Sequence, residues 1–244
     1  MKKNDSIRVF DTVDSLFKSA LSFILDQAQR SISERNRFSM VLSGGQTPER
    51  LYELMAQPAF ASQMEWDKTY IFWGDERCVP LNDEQNNAHQ AKKILLDKIK
   101  IPQDHIFRIP VDLPPAEAAR DYEKTIKLFF GETYPQFDLI LLGLGTNGHT
   151  ASLFPHTTAL HETERLVTEV WVEELKMYRI TMTVPLINRA RQILFLVTGE
   201  SKAGILNKVL NGDYKPHQYP AQLIKPDKGN LWWFTDKDAA GKLE

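Results

Sequence analysis

Short, nearly continuous apolar runs alternate along this chain with longer stretches in which apolar residues recur every three or four positions. The first pattern marks a strand buried on both faces, and the second an amphipathic helix. Residues 7–10 (IRVF) therefore predict a strand and 12–35 a helix. FSMVLSGG (38–45) predicts a strand and turn, followed by a helix over 48–57. TYIFWGDER (69–77) predicts a strand and loop, then a helix over 84–99. HIFRIP (105–110) is a short strand before a helix over 115–130, and DLILLGLG (138–145) is another strand and turn. RLVTEVWV and YRITMTVP alternate as β segments. RQILFLVTGE (191–200) is a buried strand leading into a helix over 201–210, and LWWFTD (231–236) is a late strand. Strand–helix alternation of this kind predicts an α/β fold, a mostly parallel sheet with helices on both faces.

Four of the predicted strands stop at glycine and polar groups. They run into Ser43-Gly44-Gly45, Gly74-Asp75-Glu76-Arg77, Gly143 to His149, and Gly199-Glu200-Ser201-Lys202. In a parallel sheet these C-terminal ends share one edge, where open α/β folds bind ligands. Segments far apart in sequence are thus expected to meet in one crevice.

One of these turns, Gly143-Leu144-Gly145-Thr146-Asn147-Gly148, matches the dinucleotide pattern G-x-G-x-x-G. Its surroundings do not. The fingerprint belongs at the first strand of a βαβ unit and opens a long helix. Here it lies past the middle of the chain, and Pro155 limits any following helix to about two turns. His149 stands directly behind the last glycine. A glycine turn presenting an imidazole to a small ligand fits these residues better.

Composition narrows the ligand. The net charge of −2 supplies no global basic field for nucleic acid, so an anion must be held by local donors. Cys78 is the only cysteine, which excludes an internal disulfide framework and a cysteine-rich zinc site, and fits a cytoplasmic protein. Neither a signal core in the first residues nor a membrane-length apolar run is present, so no membrane partner is expected. The six histidines form no H-x-x-x-H or H-E-x-x-H pattern, so no metal is expected.

In SGGQTPERLYELM, Thr47 is suited to cap a helix and Pro48 to its first position. Gly44 and Gly45 let the backbone approach a ligand, and the helix N-terminus favours an anion. The absence of G-x-x-x-x-G-K-[ST] disfavours a nucleoside triphosphate and leaves a phosphomonoester or carboxylate. Asp75-Glu76-Arg77 reads either as a surface ion pair or as a substrate contact in which the acids orient Arg77. Arg179 shares a strand face with Thr181 and Thr183, and Lys202 falls in the first turn of a helix. Together the two cations form a candidate phosphate clamp; singly each reads as a solvated charge. His149 is the candidate general base. With no G-x-S-x-G elbow, activated water is the simpler nucleophile.

VLSGGQTPERLYELM, FWGDERCVP, LGLGTNGHTASLFP, YRITMTVPLINRA, FLVTGESKAGIL and the late PAQLIKP together resemble the 6-phosphogluconolactonases, across most of the chain. The resemblance implies a single Rossmann-like α/β domain over residues 1–244, of the type shared with hexosamine-6-phosphate isomerase/deaminases. It implies cytoplasmic, cofactor-free hydrolysis of 6-phospho-D-glucono-1,5-lactone in the oxidative pentose phosphate pathway, by a monomer or weak homo-oligomer. Carried over by position, His149 activates water, with Asn147 beside it. Gly44, Gly45, Thr47, Arg179 and Lys202 surround the phosphate. Arg77 faces the lactone end, and Asp75, Asn86 and Gly145 also line the site. Backbone N–H groups of the glycine turn or Arg77 would stabilise the oxyanion. The family usually has aspartate where this chain has Asn147, and commonly glycine where it has His156. An amino-sugar-phosphate deaminase, or a sugar-phosphate binder without turnover, are the alternative readings.

Overall fold

The computed structural model describes residues 5–243. Its strands are β1 (Asp5–Phe10), β2 (Phe38–Leu42), β3 (Thr69–Trp73), β4 (Asp75–Arg77), β5 (Ile106–Phe107), β6 (Leu139–Leu142), β7 (Val167–Val172), β8 (Met177–Met182), β9 (Gln192–Val197) and β10 (Asn230–Asp236). Its α-helices are α1 (Val13–Arg35), α2 (Gln46–Met55), α3 (Pro58–Ala61), α4 (Asn87–Ile94), α5 (Pro115–Phe130), α6 (Val184–Asn188), α7 (Ala203–Leu210) and α8 (Lys237–Ala240). Seven strands form a parallel sheet in the order β1-β10-β9-β6-β2-β3-β5, with helices on both sides. A second, antiparallel sheet has the order β4-β8-β7. The expected α/β class, with a few antiparallel strands, is therefore what forms.

The apolar runs behave as their composition demands. Every residue of β2 and β6 is buried, as are Ile193 to Val197 of β9. α1 starts where Thr12 caps it, with Ser15 closing a reciprocal box, and ends at Asn36 in the left-handed region. Its buried stripe includes Leu16, Phe17, Ala20, Phe23 and Ile24, and Phe23 meets Trp232 and Phe234 of β10 edge-on. Phe195 stacks on Trp233, and Phe72 on Phe107, carrying apolar contact across adjacent strands.

Several expectations need correction. Asp75–Arg77 is a strand, not a loop, because its backbone finds partners in β8. Gly74 sits at the transition: its N–H donates to Leu42 of the parallel sheet, and its carbonyl accepts from Met182 of the antiparallel one. The helix expected over 84–99 is shorter, beginning at Asn87, where Asn86 caps it, and giving way to a 3-10 turn over Leu96–Lys98. Residues 105–110 pair only at Ile106 and Phe107. Thr47 is not a helix cap. Gly45, at φ 106°, takes that place, and the Thr47 hydroxyl instead meets the Thr198 hydroxyl at 3.0 Å.

Buried Asp138 binds the start of the central strands together. Its Oδ2 accepts from the Ser39 N–H (2.8 Å) and hydroxyl (2.7 Å), and its Oδ1 lies 3.0 Å from Arg35 and 3.4 Å from Arg191. Removing one partner of such a cluster leaves buried groups uncompensated. Asp138→Ala is expected to destabilise the protein by about 3–5 kcal/mol. A urea denaturation midpoint unchanged from wild type would refute this.

Candidate active site

The C-terminal ends of β9, β6, β2 and β3 are neighbours in the sheet, and the turns beyond them enclose a pocket of about 500 Å³. Its lining includes Ser43 to Pro48, Asp75, Arg77, Asn87, Gly143 to Thr146, His149 to Ala151, Arg179, Thr198, Ser201 and Lys202. The crevice expected from the strand ends thus exists. It gathers Gly44, Gly45, Thr47, Asp75, Arg77, Gly145, His149, Arg179 and Lys202.

Asn86 does not line the pocket. It is 1% exposed, and its Oδ1 caps α4 by accepting from the His89 N–H at 2.8 Å. Its neighbour Asn87 lines the pocket instead and donates to the Asp75 carbonyl at 3.0 Å. A Cβ on Gly44 would lie 1.8 Å from the Asn87 side-chain oxygen, so only glycine permits this contact. Reading the sequence missed Asn87 because two asparagines are adjacent and the residue after a helix cap points elsewhere than the cap itself.

Glu76 anchors α4 from below. One carboxylate oxygen accepts from the N–H groups of Arg77 (2.8 Å) and Asn87 (2.7 Å), and the other from Ala88 (2.8 Å). Burial pushes its pKa up to about 7, against the pull of these donors. Of the charged triplet, Glu76 therefore serves the scaffold, while Asp75 and Arg77 reach the pocket.

The antiparallel register explains that division. Asp75 pairs with Thr181 and Arg77 with Arg179. Alternation places these four on one face and Glu76 with Ile180 on the other. Two guanidinium groups are thereby set side by side, an unfavourable arrangement unless negative charge joins them. Asp75 supplies part of it, 3.8 Å from Arg179, and also accepts from the Ser152 hydroxyl at 2.6 Å. The buried Nε atoms of Arg77 and Arg179 have no hydrogen-bond partner among the described residues. Burial holds the Arg179 and Lys202 pKa values below their usual range, so a bound anion would meet cations already stripped of much of their water. Lys202 is set by a turn at Gly199, whose φ is 91° and whose N–H donates to Asp236.

His149 is held from three directions. A Cβ on Gly145 would come within 2.1 Å of the imidazole, so that glycine admits the ring. The ring stacks on Phe154 at 4.1 Å, and the Arg179 guanidinium also lies over Phe154 at 5.4 Å. Asn147 lies outside the pocket lining, behind the imidazole. Its Oδ1 is 2.6 Å from His149 Nδ1 and 3.2 Å from the His149 backbone N–H. A backbone N–H can only donate, which identifies the facing atom as the oxygen. Nδ1 therefore carries the proton, and Nε2 is left with its lone pair. Burial lowers the His149 pKa to about 4; Asp75 opposes this, and Arg179, Lys202 and Arg77 add to it. The imidazole is neutral at physiological pH.

The turn is braced by the segment that follows α7: the Ala221 N–H donates to the Gly148 carbonyl at 2.9 Å, and Tyr219 packs on Gly148. His156, where the resemblance has glycine, adopts a left-handed backbone with φ 60°. Among the described residues no group of three or more His, Cys, Asp or Glu could hold a metal. No described helix is long and apolar enough to cross a membrane.

A pocket combining a neutral imidazole with three cations and a glycine-lined helix start can bind a phosphorylated substrate and take a proton from water beside it. Comparison with known proteins shows the family. Residues 11–233 match the family model for glucosamine-6-phosphate isomerases/6-phosphogluconolactonase. A 6-phosphogluconolactonase from Synechocystis is 41% identical, covering 93% of this chain and 94% of its own. One from Nostoc is 38% identical over 100% of this chain and 99% of its own. The solved 6-phosphogluconolactonase from Trypanosoma cruzi superposes with a TM-score of 0.89 at 29% identity, over 100% of this chain and 98% of that one. The chain belongs to the glucosamine-6-phosphate isomerase/6-phosphogluconolactonase family.

Proposed function

We propose that this protein hydrolyses 6-phospho-D-glucono-1,5-lactone to 6-phosphogluconate, the lactonase step of the oxidative pentose phosphate pathway. The observation that carries the reading is His149, its Nδ1 2.6 Å from Asn147 Oδ1, in the same pocket as Arg77, Arg179 and Lys202. In this reading the phosphate is bound by Arg179, Lys202 and the start of α2 at Gly44, Gly45 and Thr47. Nε2 takes a proton from water as the oxygen attacks the lactone carbonyl. Negative charge then develops on the carbonyl oxygen, and in this reading Arg77 meets it. Collapse of the tetrahedral intermediate breaks the ring C–O bond, and the imidazolium returns its proton to the leaving alkoxide. Asn147 keeps the imidazole in the required tautomer but adds no negative charge.

His149→Ala is expected to lower turnover by roughly 10²–10⁴-fold, the worth of a general base, while 6-phosphogluconate still binds. The assay subtracts the spontaneous hydrolysis of the lactone in buffer. Wild-type turnover in the variant would remove His149 from this role.

Arg179→Ala and Lys202→Ala are expected to weaken phosphate-dependent binding, each by about 1.5–3 kcal/mol for a charge-assisted hydrogen bond. Comparing the phosphorylated lactone with its unphosphorylated counterpart isolates that contribution. Equal losses on both substrates would assign these side chains to the fold or the chemistry.

Because the base is active when neutral and its pKa is about 4, kcat/KM is expected to stay level as pH falls from neutrality and to decline only near that value. Asn147→Asp places a carboxylate against Nδ1, raising the imidazole pKa and shifting the acid limb upward, with a several-fold gain in turnover at neutral pH. Steady-state rates of both proteins across the pH range test this. Superimposable profiles would show that Asn147 acts only through the turn.

A further inference from the structure

Asn147 is followed by Gly148, and its carboxamide is polarised: Oδ1 accepts from the His149 backbone N–H at 3.2 Å and from Nδ1–H at 2.6 Å. We propose that Asn147 is a self-processing site, at which the chain deamidates its own asparagine to aspartate beside the catalytic imidazole. In the first step the Gly148 backbone nitrogen attacks Asn147 Cγ. A C–N bond forms, and negative charge gathers on Oδ1, where both donors are already aimed. The Cγ–Nδ2 bond then breaks, and the nitrogen leaves as ammonia with the proton lost by the Gly148 amide. Water adds at Cγ of the resulting cyclic imide, breaking its bond to the Gly148 nitrogen and leaving aspartate at position 147. One water is consumed and one ammonia released, with no change of oxidation state.

Three features of the turn bear on this step. Gly148 has no side chain to crowd the attacking nitrogen, and its φ of 84° is one that glycine adopts without strain. Asn147 is only partly buried, so water reaches it. Arg77, Arg179 and Lys202 line the adjacent pocket and favour the carboxylate product over the neutral amide. Against these stands the Gly148 N–H, which donates to the Gly145 carbonyl at 2.9 Å. That bond must open before the nitrogen can attack, so conversion is slow and follows the opening of the turn. The chain also carries an internal reference. Asn211-Gly212 is a second Asn-Gly pair, exposed at the end of α7, with Asn211 donating its amide to Asn207.

The modification itself rests on the turn's chemistry; its effect on rate rests on the lactonase reading. The test incubates the folded protein at mildly alkaline pH and physiological temperature for several days. Peptide mapping in heavy-oxygen water follows both Asn-Gly sites, and lactonase turnover is measured on the same samples. The peptide carrying residue 147 is expected to gain one mass unit beyond the solvent label and to be cleaved as aspartate. The imidazole titration should move upward, and turnover should rise with the converted fraction toward that of Asn147→Asp. Asn147→Gln, whose longer side chain requires a less accessible ring, should remain unconverted. An intact Asn147 while Asn211 converts would overturn the proposal, as would isoaspartate as the product at position 147. Conversion to aspartate with no lactonase activity in either form would support the modification and defeat the functional reading instead.

Discussion

The passage of the backbone through Gly74 is the constraint on which the site depends. Before Gly74 the chain is a strand of the parallel sheet; after it, the chain is a strand of the antiparallel one. The glycine carbonyl and N–H each serve a different sheet. This crossing puts Arg77 opposite Arg179, turns Asp75 toward Ser152, and leaves Glu76 on the far face to hold α4. A shift of β4 by one residue in that register would turn Asp75 and Arg77 away from the pocket and present Glu76 to it. The register of the antiparallel sheet therefore sets the charge of the site.

That charge in turn sets the state of the base. A buried imidazole beside three cations loses affinity for its proton, and Asp75 recovers only part of it. The result suits the start of a reaction that needs a lone pair. It suits less well the moment when the imidazole must hold a proton taken from water. A phosphate dianion bound by Arg179 and Lys202 would offset the cations and raise the proton affinity of His149 as the substrate arrives. The base would then be strengthened by the ligand it acts on.

Much of this was legible in the amino-acid order. The apolar runs located the sheet because residues buried on both faces must be apolar, and β2, β6 and β9 are buried throughout or nearly so. The strand ends located the pocket because parallel strands finish on one edge. Features set by pairing across long separations are not legible there. Asp75–Arg77 reads as a loop because its partner lies about a hundred residues away in sequence. Thr47 looked like a cap by residue type, yet Gly45 reached that position by a backbone angle that composition does not reveal. Asn87 was hidden beside Asn86, since only the start of α4 distinguishes capping from pocket. Phe154 carried no signal as a platform for His149, because an apolar residue after a turn reads as core.

Asn147 shows how orientation and basicity separate. Its oxygen accepts from two donors of the same residue, and this alone makes the Nδ1–H tautomer the stable one. A carboxylate at the same place would do that and also stabilise the imidazolium. Nothing in the surrounding turn demands the amide, for Oδ1 is the only Asn147 atom engaged in its hydrogen bonds to His149. The turn is thus built for an acceptor, and it tolerates the neutral one because the tautomer requires only a lone pair. Positioning of the base is complete in the amide form, and what remains adjustable is its strength.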